Sequence, residues 1–505
     1  MKKLTSWLRW MDDNLLHLTF IGFILATELV PKIPFAHVNY TYIKIRYDDF
    51  FPVILVGVFA VQWLRKKIVL NTKFLGLVLI FWAAVFISFL VGYYLQNTVI
   101  IFNTGLLNTL RRFQYMAVFF VASSVVVSEA RFTQYMKYYI WALLFVAVYG
   151  VGQKFLSFPS IQSMNPAYVD GRILFLTPQD RINSTFGGHF DLAAYLTFSI
   201  PILFGYYFSK GKKIYFVFFI AALIALLYTS ARSSFIAYII SISALFVYFR
   251  KFRLYFLVFL LTAVLLFVTG DMTKRFLQTF QIKTVFVNTK TGGSQISQKI
   301  STKNLPAGNL KIPLLKTTAA NVNESEIQNV ALAEAIKEEQ RSGRKLNIQQ
   351  IQKRADEIAK YIKPERTVLC DIACATRLQI EWPRAIGAFL FDPLFGSGPS
   401  SITEASDNDF LRWLGETGLI GTLAFLAVLY SIFRYIWNAA KKMPPEKKYI
   451  YYSFGFGLLA LLVNALYVDV FEASKVAYNF WLVAGLFVGV IKLSKVKKHE
   501  KRIGK

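Results

Sequence analysis

Apolar runs close to twenty residues long, separated by short charged or Pro/Gly-bearing connections, recur along the chain. A helix needs about 20 apolar residues to cross a ~30 Å hydrocarbon layer. The pattern predicts spans near 14–30, 49–64, 74–95, 113–128, 138–156, 190–208, 214–230, 233–249, 254–270, 416–437, 449–467 and 476–493. Those at 49–64 and 113–128 are short for the task. One polar stretch, Asp271 to Gly415, interrupts the series. Within it VALAEAIKEEQ and IQQIQKRADEIAKYI repeat Ala, Ile and Leu at helical spacing. That predicts two helices between Asn323 and Ile362, parted at Arg341 to Asn347, as a solvated cap on the membrane core. Gly292, Gly293, Pro306, Gly308 and Pro313 predict an irregular approach to them. The expected fold class is all-α: a polytopic integral membrane protein with about 12 transmembrane helices. An N-terminal bundle covers 1–270, a large helical extracytoplasmic loop 271–415, and the last spans with a basic tail 416–505.

Composition agrees. At 55% hydrophobic residues and a mean hydropathy of +0.45, the 505-residue chain is too apolar to cover its own surface with polar groups. A formal net charge of +28 raises nucleic acid as a partner, but the basic residues sort by topology instead. Lys2, Lys3 and Arg9, then Arg65 to Lys73, Arg131 and Lys137, Lys210 to Lys213, Arg250 to Arg253, Lys441 to Lys448 and the tail from Lys492 all fall on one side. This is the bias of cytoplasmic loops, so both termini are expected in the cytoplasm and the bilayer, not nucleic acid, as the partner. The first apolar run lacks a small-residue cleavage site and reads as a retained span. Cys370 and Cys374 both fall in the outer loop, where an oxidising compartment permits a disulfide; a four-residue spacing inside a helix gives poor geometry for one.

No glycine-rich phosphate loop, metal-ligand cluster or HExxH helix is present, so neither metal nor cofactor is predicted. Chemistry-bearing residues gather instead in three outer segments. Arg181 to Tyr195 carries His189 and Asp191, Tyr228 to Ser234 carries Arg232, and Arg377 to Gly418 carries Arg377, Asp407, Asn408 and Glu416. Guanidinium forks at a partly hydrated membrane surface match phosphate oxygens and point to a polyanionic headgroup. Each residue also has a plainer reading. An arginine at a helix end snorkels to lipid phosphates, the reading given to Arg384 and Arg412. His189 and Asp191 read as local partners at a helix start, Glu416 as a cap on its helix dipole, and Glu28 as a carboxylate reaching water near the end of the first span.

Taken in order, these segments resemble the O-antigen ligase and O-antigen polymerase superfamily of bacterial membrane glycosyltransferases. The residues that carry the resemblance are Arg181 with Ser184-Thr-Phe-Gly187 and Ala193-Ala-Tyr-Leu196, Thr229-Ser-Ala-Arg-Ser233, Pro393-Leu-Phe-Gly-Ser-Gly-Pro399, Asp407-Asn408 and Gly415-Glu-Thr-Gly-Leu-Ile-Gly421. The resemblance implies an inverting, metal-independent transferase in the bacterial inner membrane with its site on the extracytoplasmic face. Its donor would be a polyprenyl-pyrophosphate-linked oligosaccharide and its acceptor a glycan or lipid hydroxyl. It puts Arg232 and Arg377 on the pyrophosphate, with Arg181, His189, Asn408 and Glu416 in the substrate-binding set. Ligases place His before Asn where this chain has Asp407. The departure leaves Asp407 to accept the hydroxyl proton or to orient the acceptor sugar, and favours polymerase over ligase, with transfer to protein a third variant. A transporter or flippase for a polyanionic lipid or glycan is the alternative from another class, and a scaffolding membrane protein a third.

Overall fold

Inside hydrocarbon every backbone N–H and C=O must be paired within its own segment, so the apolar runs fold as helices. The computed structural model describes residues 2–38, 41, 44–163, 168–291, 294–296, 311–319, 323–342, 347–402 and 405–503. They form α1 (Lys2–Leu29), α2 (Phe50–Leu64), α3 (Leu75–Leu90), α4 (Phe102–Val125), α5 (Glu129–Phe155), α6 (His189–Lys210), α7 (Ile214–Thr229), α8 (Arg232–Tyr248) and α9 (Phe252–Thr269). After α10 (Asp271–Thr279) come α11 (Glu324–Ser342), α12 (Ile348–Ala359), α13 (Ile372–Thr376), α14 (Trp382–Phe391), α15 (Asp409–Lys441), α16 (Pro445–Ala465) and α17 (Ser474–Ile503). Among the described residues seven helical segments are long and apolar enough to cross a membrane: 47–64, 75–95, 129–155, 189–210, 252–269, 409–441 and 474–494. Two shorter apolar helices, α7 and α8, stand beside them.

The chain divides into two compact units, Met1–Met272 with Glu381–Lys505, and Thr273–Ile380. In the first, glycines set the closest helix contacts. Gly485 and Gly489, one turn apart on α17, lie against the Phe119 and Ser123 carbonyls of α4, where an added Cβ would come within 2.5 and 2.6 Å. Small residues at this spacing let two membrane helices approach backbone to backbone. Gly205 of α6 meets Ser453 of α16, and Gly457 of α16 meets the Phe198 carbonyl of α6, by the same device. At one end of the unit, Asp12 pairs with Arg65 and Lys67, and Lys447 with Glu129. At the other end the starts of α2, α4, α6, α8, α15 and α17 meet the ends of their neighbours, through contacts described below. Two short antiparallel pairs, β1 (Pro34–Ala36) with β2 (Ile45–Arg46) and β3 (Ser160–Ile161) with β4 (Ile173–Leu174), lie in the connections there.

The second unit departs from the all-helical expectation. The two helices appear as α11 and α12, but they accompany an antiparallel sheet in the order β6-β5-β8-β7, from β5 (Phe280–Asn288), β6 (Ser294–Ile296), β7 (Lys311–Ala319) and β8 (Ile362–Asp371). Phe286, Ile362, Val330, Ala335 and Ile358 form its core. Pro313 sits in β7 at the sheet edge beside a register shift, where a missing N–H is tolerated. Gly292, Gly293, Pro306 and Gly308 lie outside the described residues.

Candidate active site

Two glycine motifs that stand apart in the sequence are stacked on one another. The Ser397 N–H donates to the Gly415 carbonyl at 2.8 Å, the Gly398 N–H to the Glu416 carbonyl at 2.9 Å, and the Leu419 N–H to the Pro393 carbonyl at 2.8 Å. Gly418 breaks α15 here with φ 62° and ψ −166°, a conformation open essentially to glycine alone. A Cβ on Gly418 would stand 2.2 Å from the Leu394 carbonyl, and one on Gly396 2.6 Å from the Glu416 backbone. The Ser88 hydroxyl of α3 takes up the Glu416 carbonyl at 2.5 Å. The kink therefore fixes Glu416 in direction as well as in place.

The Glu416 side chain lies buried between two guanidinium groups. Arg112 of α4 bonds its Oε2 and also donates from Nε to Glu472 at 2.7 Å, while Arg412 reaches its Oε1 at 3.4 Å. Arg412 in turn donates to Asp469 at 2.8 Å. Asp469 accepts the N–H groups of Ser406 (2.8 Å), Asp407 (3.1 Å) and Asn408 (3.0 Å) and the Ser406 hydroxyl (2.9 Å). One carboxylate in the α16–α17 connection thus cradles the whole 406–408 turn. Asn408 caps α15 through Leu411, and Asp407 is half-buried at φ 50°, in the left-handed region Asp and Asn tolerate. Glu416 is an ion-pair partner within α15 and not its dipole cap. Arg412 is likewise a buried member of the network, not a snorkelling arginine.

Beside this network opens a cavity of about 740 Å³ between α2 and α4. Arg412, Glu472, Ser400 and Ser401 border it beside the network, Lys44, Asp49 and Arg111 also line it, and Val53, Val56, Trp82, Phe113 and Ala117 form apolar walls. The Ser400 N–H reaches Glu416 at 3.3 Å, and Asn108 holds the Ser400 hydroxyl at 2.5 Å. Lys44 bonds His37 at 3.1 Å and pairs with Asp170, holding that carboxyl below its ordinary range.

Arg181 and His189 come together: a guanidinium nitrogen stands 2.6 Å from the imidazole Nε2. Ile182 donates to the Tyr228 carbonyl at the end of α7, one turn before half-buried Arg232, so the first and second sequence segments adjoin. Ser234 ties this corner to Asn464 of α16 at 2.6 Å. Asp191 is not the partner of His189; it faces Lys32 at 3.6 Å, where burial pushes the Lys32 amine down and Asp191 pulls it back. Gly188, not a side chain, stands at the cap of α6. Glu28 is fully buried rather than water-facing, and Lys475 binds its backbone carbonyl at 3.3 Å together with those of Val30 and Thr185.

In the second unit Arg377 is buried at the start of a π-helical turn and donates to the Ala373 carbonyl at 2.6 Å. Cys370 is the penultimate residue of β8 and Cys374 lies in α13; both are buried and not joined in a disulfide.

Sequence reasoning missed Arg111, Arg112, Asp469 and Glu472. The available signal was an Arg-Arg pair on the side the basic-residue bias leaves poor in cations, matched by two acids in the short connection before α17. Residues 217–426 match a family model described as O-antigen ligase, and among the described residues seven helical segments are long and apolar enough to cross a membrane. No curated protein matches the chain.

Proposed function

Starting from the O-antigen ligase match of residues 217–426, we propose that this chain transfers a polyprenyl-pyrophosphate-linked oligosaccharide to a sugar hydroxyl in surface-polysaccharide assembly, with polymerase favoured over ligase. The observation that carries the reading centres on the matched segment. Its two glycine motifs fix Glu416 between Arg112 and Arg412 beside a cavity, and Asp469, bound to the same Arg412, holds the 406–408 turn. The reading includes about 12 spans, both termini in the cytoplasm, and the starts of α4 and α8 and the α16–α17 connection on the extracytoplasmic side of a bacterial inner membrane.

The reaction is an inverting displacement. The acceptor oxygen attacks the anomeric carbon as the bond to the pyrophosphate oxygen breaks, and the hydroxyl proton passes to the Asp407 carboxylate. Polyprenyl pyrophosphate leaves with the bonding electrons. Arg232, with Arg181 and His189 beside it, takes the charge that builds on the leaving group, a stabilisation that grows toward the transition state. The resemblance gives Arg377 the same task. No step calls on a metal ion. Asn408 and Glu416 hold the acceptor side of the site through the cap and the network.

Asp407→Asn tests the assignment. Asn keeps the left-handed backbone and the bond to Asp469, so the turn survives and only the carboxylate is lost. Transfer from a synthetic lipid-linked donor should fall by roughly 10²–10⁴-fold. Near-parental polymer length and rate would remove Asp407 as proton acceptor.

A further inference from the structure

We propose that the cavity between α2 and α4 is the acceptor's own anchor site, holding a lipid with a phosphate-bearing headgroup, the phosphate at Arg111 and the chain along the apolar wall. The designation as acceptor rests on the transferase reading; the binding of an anionic lipid does not.

Arg111 supplies the first argument. Its guanidinium is a quarter exposed toward the cavity and, among the described residues, has no hydrogen bond, the nearest carboxylate being Asp49 at 4.0 Å. Its neighbour Arg112 is engaged by two carboxylates. A loosely held guanidinium at a membrane-embedded rim is a phosphate ligand in waiting. Along α4 from Asn108 to Ala117, about 14 Å at 1.5 Å per residue, Asn108, Arg111 and Gln114 line the cavity together with Leu110, Phe113 and Ala117. Val53 and Val56 of α2 face the same space. Charged, polar and apolar lining in one cavity match an amphiphile, not a free phosphate.

Position supplies the second argument. α4 packs on α2, α3 and α17, while α8 packs on α16 and α6 packs on both α16 and α17. Ser400, Arg412 and Glu472 connect the cavity to the Asp469 cradle that holds Asp407. A lipid seated there would present its headgroup beside the network that holds Asp407.

The test uses the full chain in nanodiscs and a polyprenyl pyrophosphate carrying a diazirine in its tail, with no glycan donor, so that binding is read without turnover. Photolabel should map to α2 and α4. It should fall about tenfold in Arg111→Gln, the scale of one lost charge-assisted bond. Because Arg111→Gln also removes the Asp49 contact, Val53→Trp provides a second variant that narrows the cavity and leaves every ion pair in place; it too should cut labelling. Arg232→Ala and Asp407→Asn should leave the α2 and α4 label unchanged, which separates failure of this inference from failure of the transferase reading. Equal labelling by the neutral polyprenol would reduce the cavity to a groove for bulk lipid and overturn the proposal. So would full protection by inorganic pyrophosphate alone, or label that persists in both cavity variants.

Discussion

Asp469 is the residue whose removal should be felt furthest from its own position. It accepts three backbone N–H groups and one hydroxyl from Ser406 to Asn408, together with Arg412. Hydrogen bonds to a charged group contribute about 1.5–3 kcal/mol each, against about 0.5–1.5 for neutral ones. Asp469→Asn keeps the shape and some acceptor capacity while removing the charge, and Arg412 retains Glu416. Losing roughly half the strength of four bonds, with partial compensation by water at this half-open end, leaves about 3 kcal/mol. At 1.36 kcal/mol per tenfold that is roughly a 150-fold fall in protection. Hydrogen–deuterium exchange read at the 405–410 amides should show that loss, with α6 and α16 unchanged. Transfer should fall alongside, and the kcat should drop more than KM rises if the turn positions the proton acceptor. Unaltered exchange at 406–408 in Asp469→Asn would refute the cradle, whatever the activity did.

Gly418→Ala should destabilise the protein by about 3 kcal/mol or more, because a Cβ would meet the Leu394 carbonyl at 2.2 Å in a backbone conformation costly for any other residue; the melting temperature in detergent measures it. Arg232→Ala and Arg377→Ala should abolish transfer with protein abundance near parental, and Lys at either position should rescue poorly, since a point charge does not reproduce the bidentate fork. Full transfer in both Ala variants would remove the anion-binding assignment.

The helices were legible because crossing hydrocarbon imposes a length that composition alone reveals. The sheet of the second unit was not, for a physical reason. Phe280 pairs with Cys370 and Asn288 with Ile362, so each ladder bond joins positions brought together only by the intervening α11 and α12. Local alternation in FQIKTVFVN was the only trace, and helical periodicity nearby outweighed it. At the site, the sequence pointed to Asp407, Asn408 and Glu416 but not to what holds them. Asp469 and Glu472 sit in a short connection with no pattern of their own, and Arg112 reads as the polar start of a short span. Side-chain partnerships across separated helices leave no periodic signature.

Why so many charges lie buried at one end of the helical unit is an energetic question. Arg112 and Arg412 are engaged by Glu416, Glu472 and Asp469, three carboxylates for two guanidinium groups. Such networks rarely stabilise a fold relative to well-packed apolar residues, because desolvation consumes most of the attraction. Stability therefore does not account for this one. Its members come from α4, from the first two turns of α15 and from the α16–α17 connection, and each bond fixes one of these segments against another. Apolar substitutes would fill the same volume but would leave the 406–408 turn free to slide, since only the Asp469 carboxylate gathers its three N–H groups. A transfer between two lipid-anchored molecules must align an oxygen and an anomeric carbon while both anchors diffuse in the bilayer, and misplacement by about 1 Å costs on the order of 100-fold in rate. On the proposed transferase reading the buried ions serve orientation, and the expense of burying them is accepted where the position of one carboxylate decides the rate.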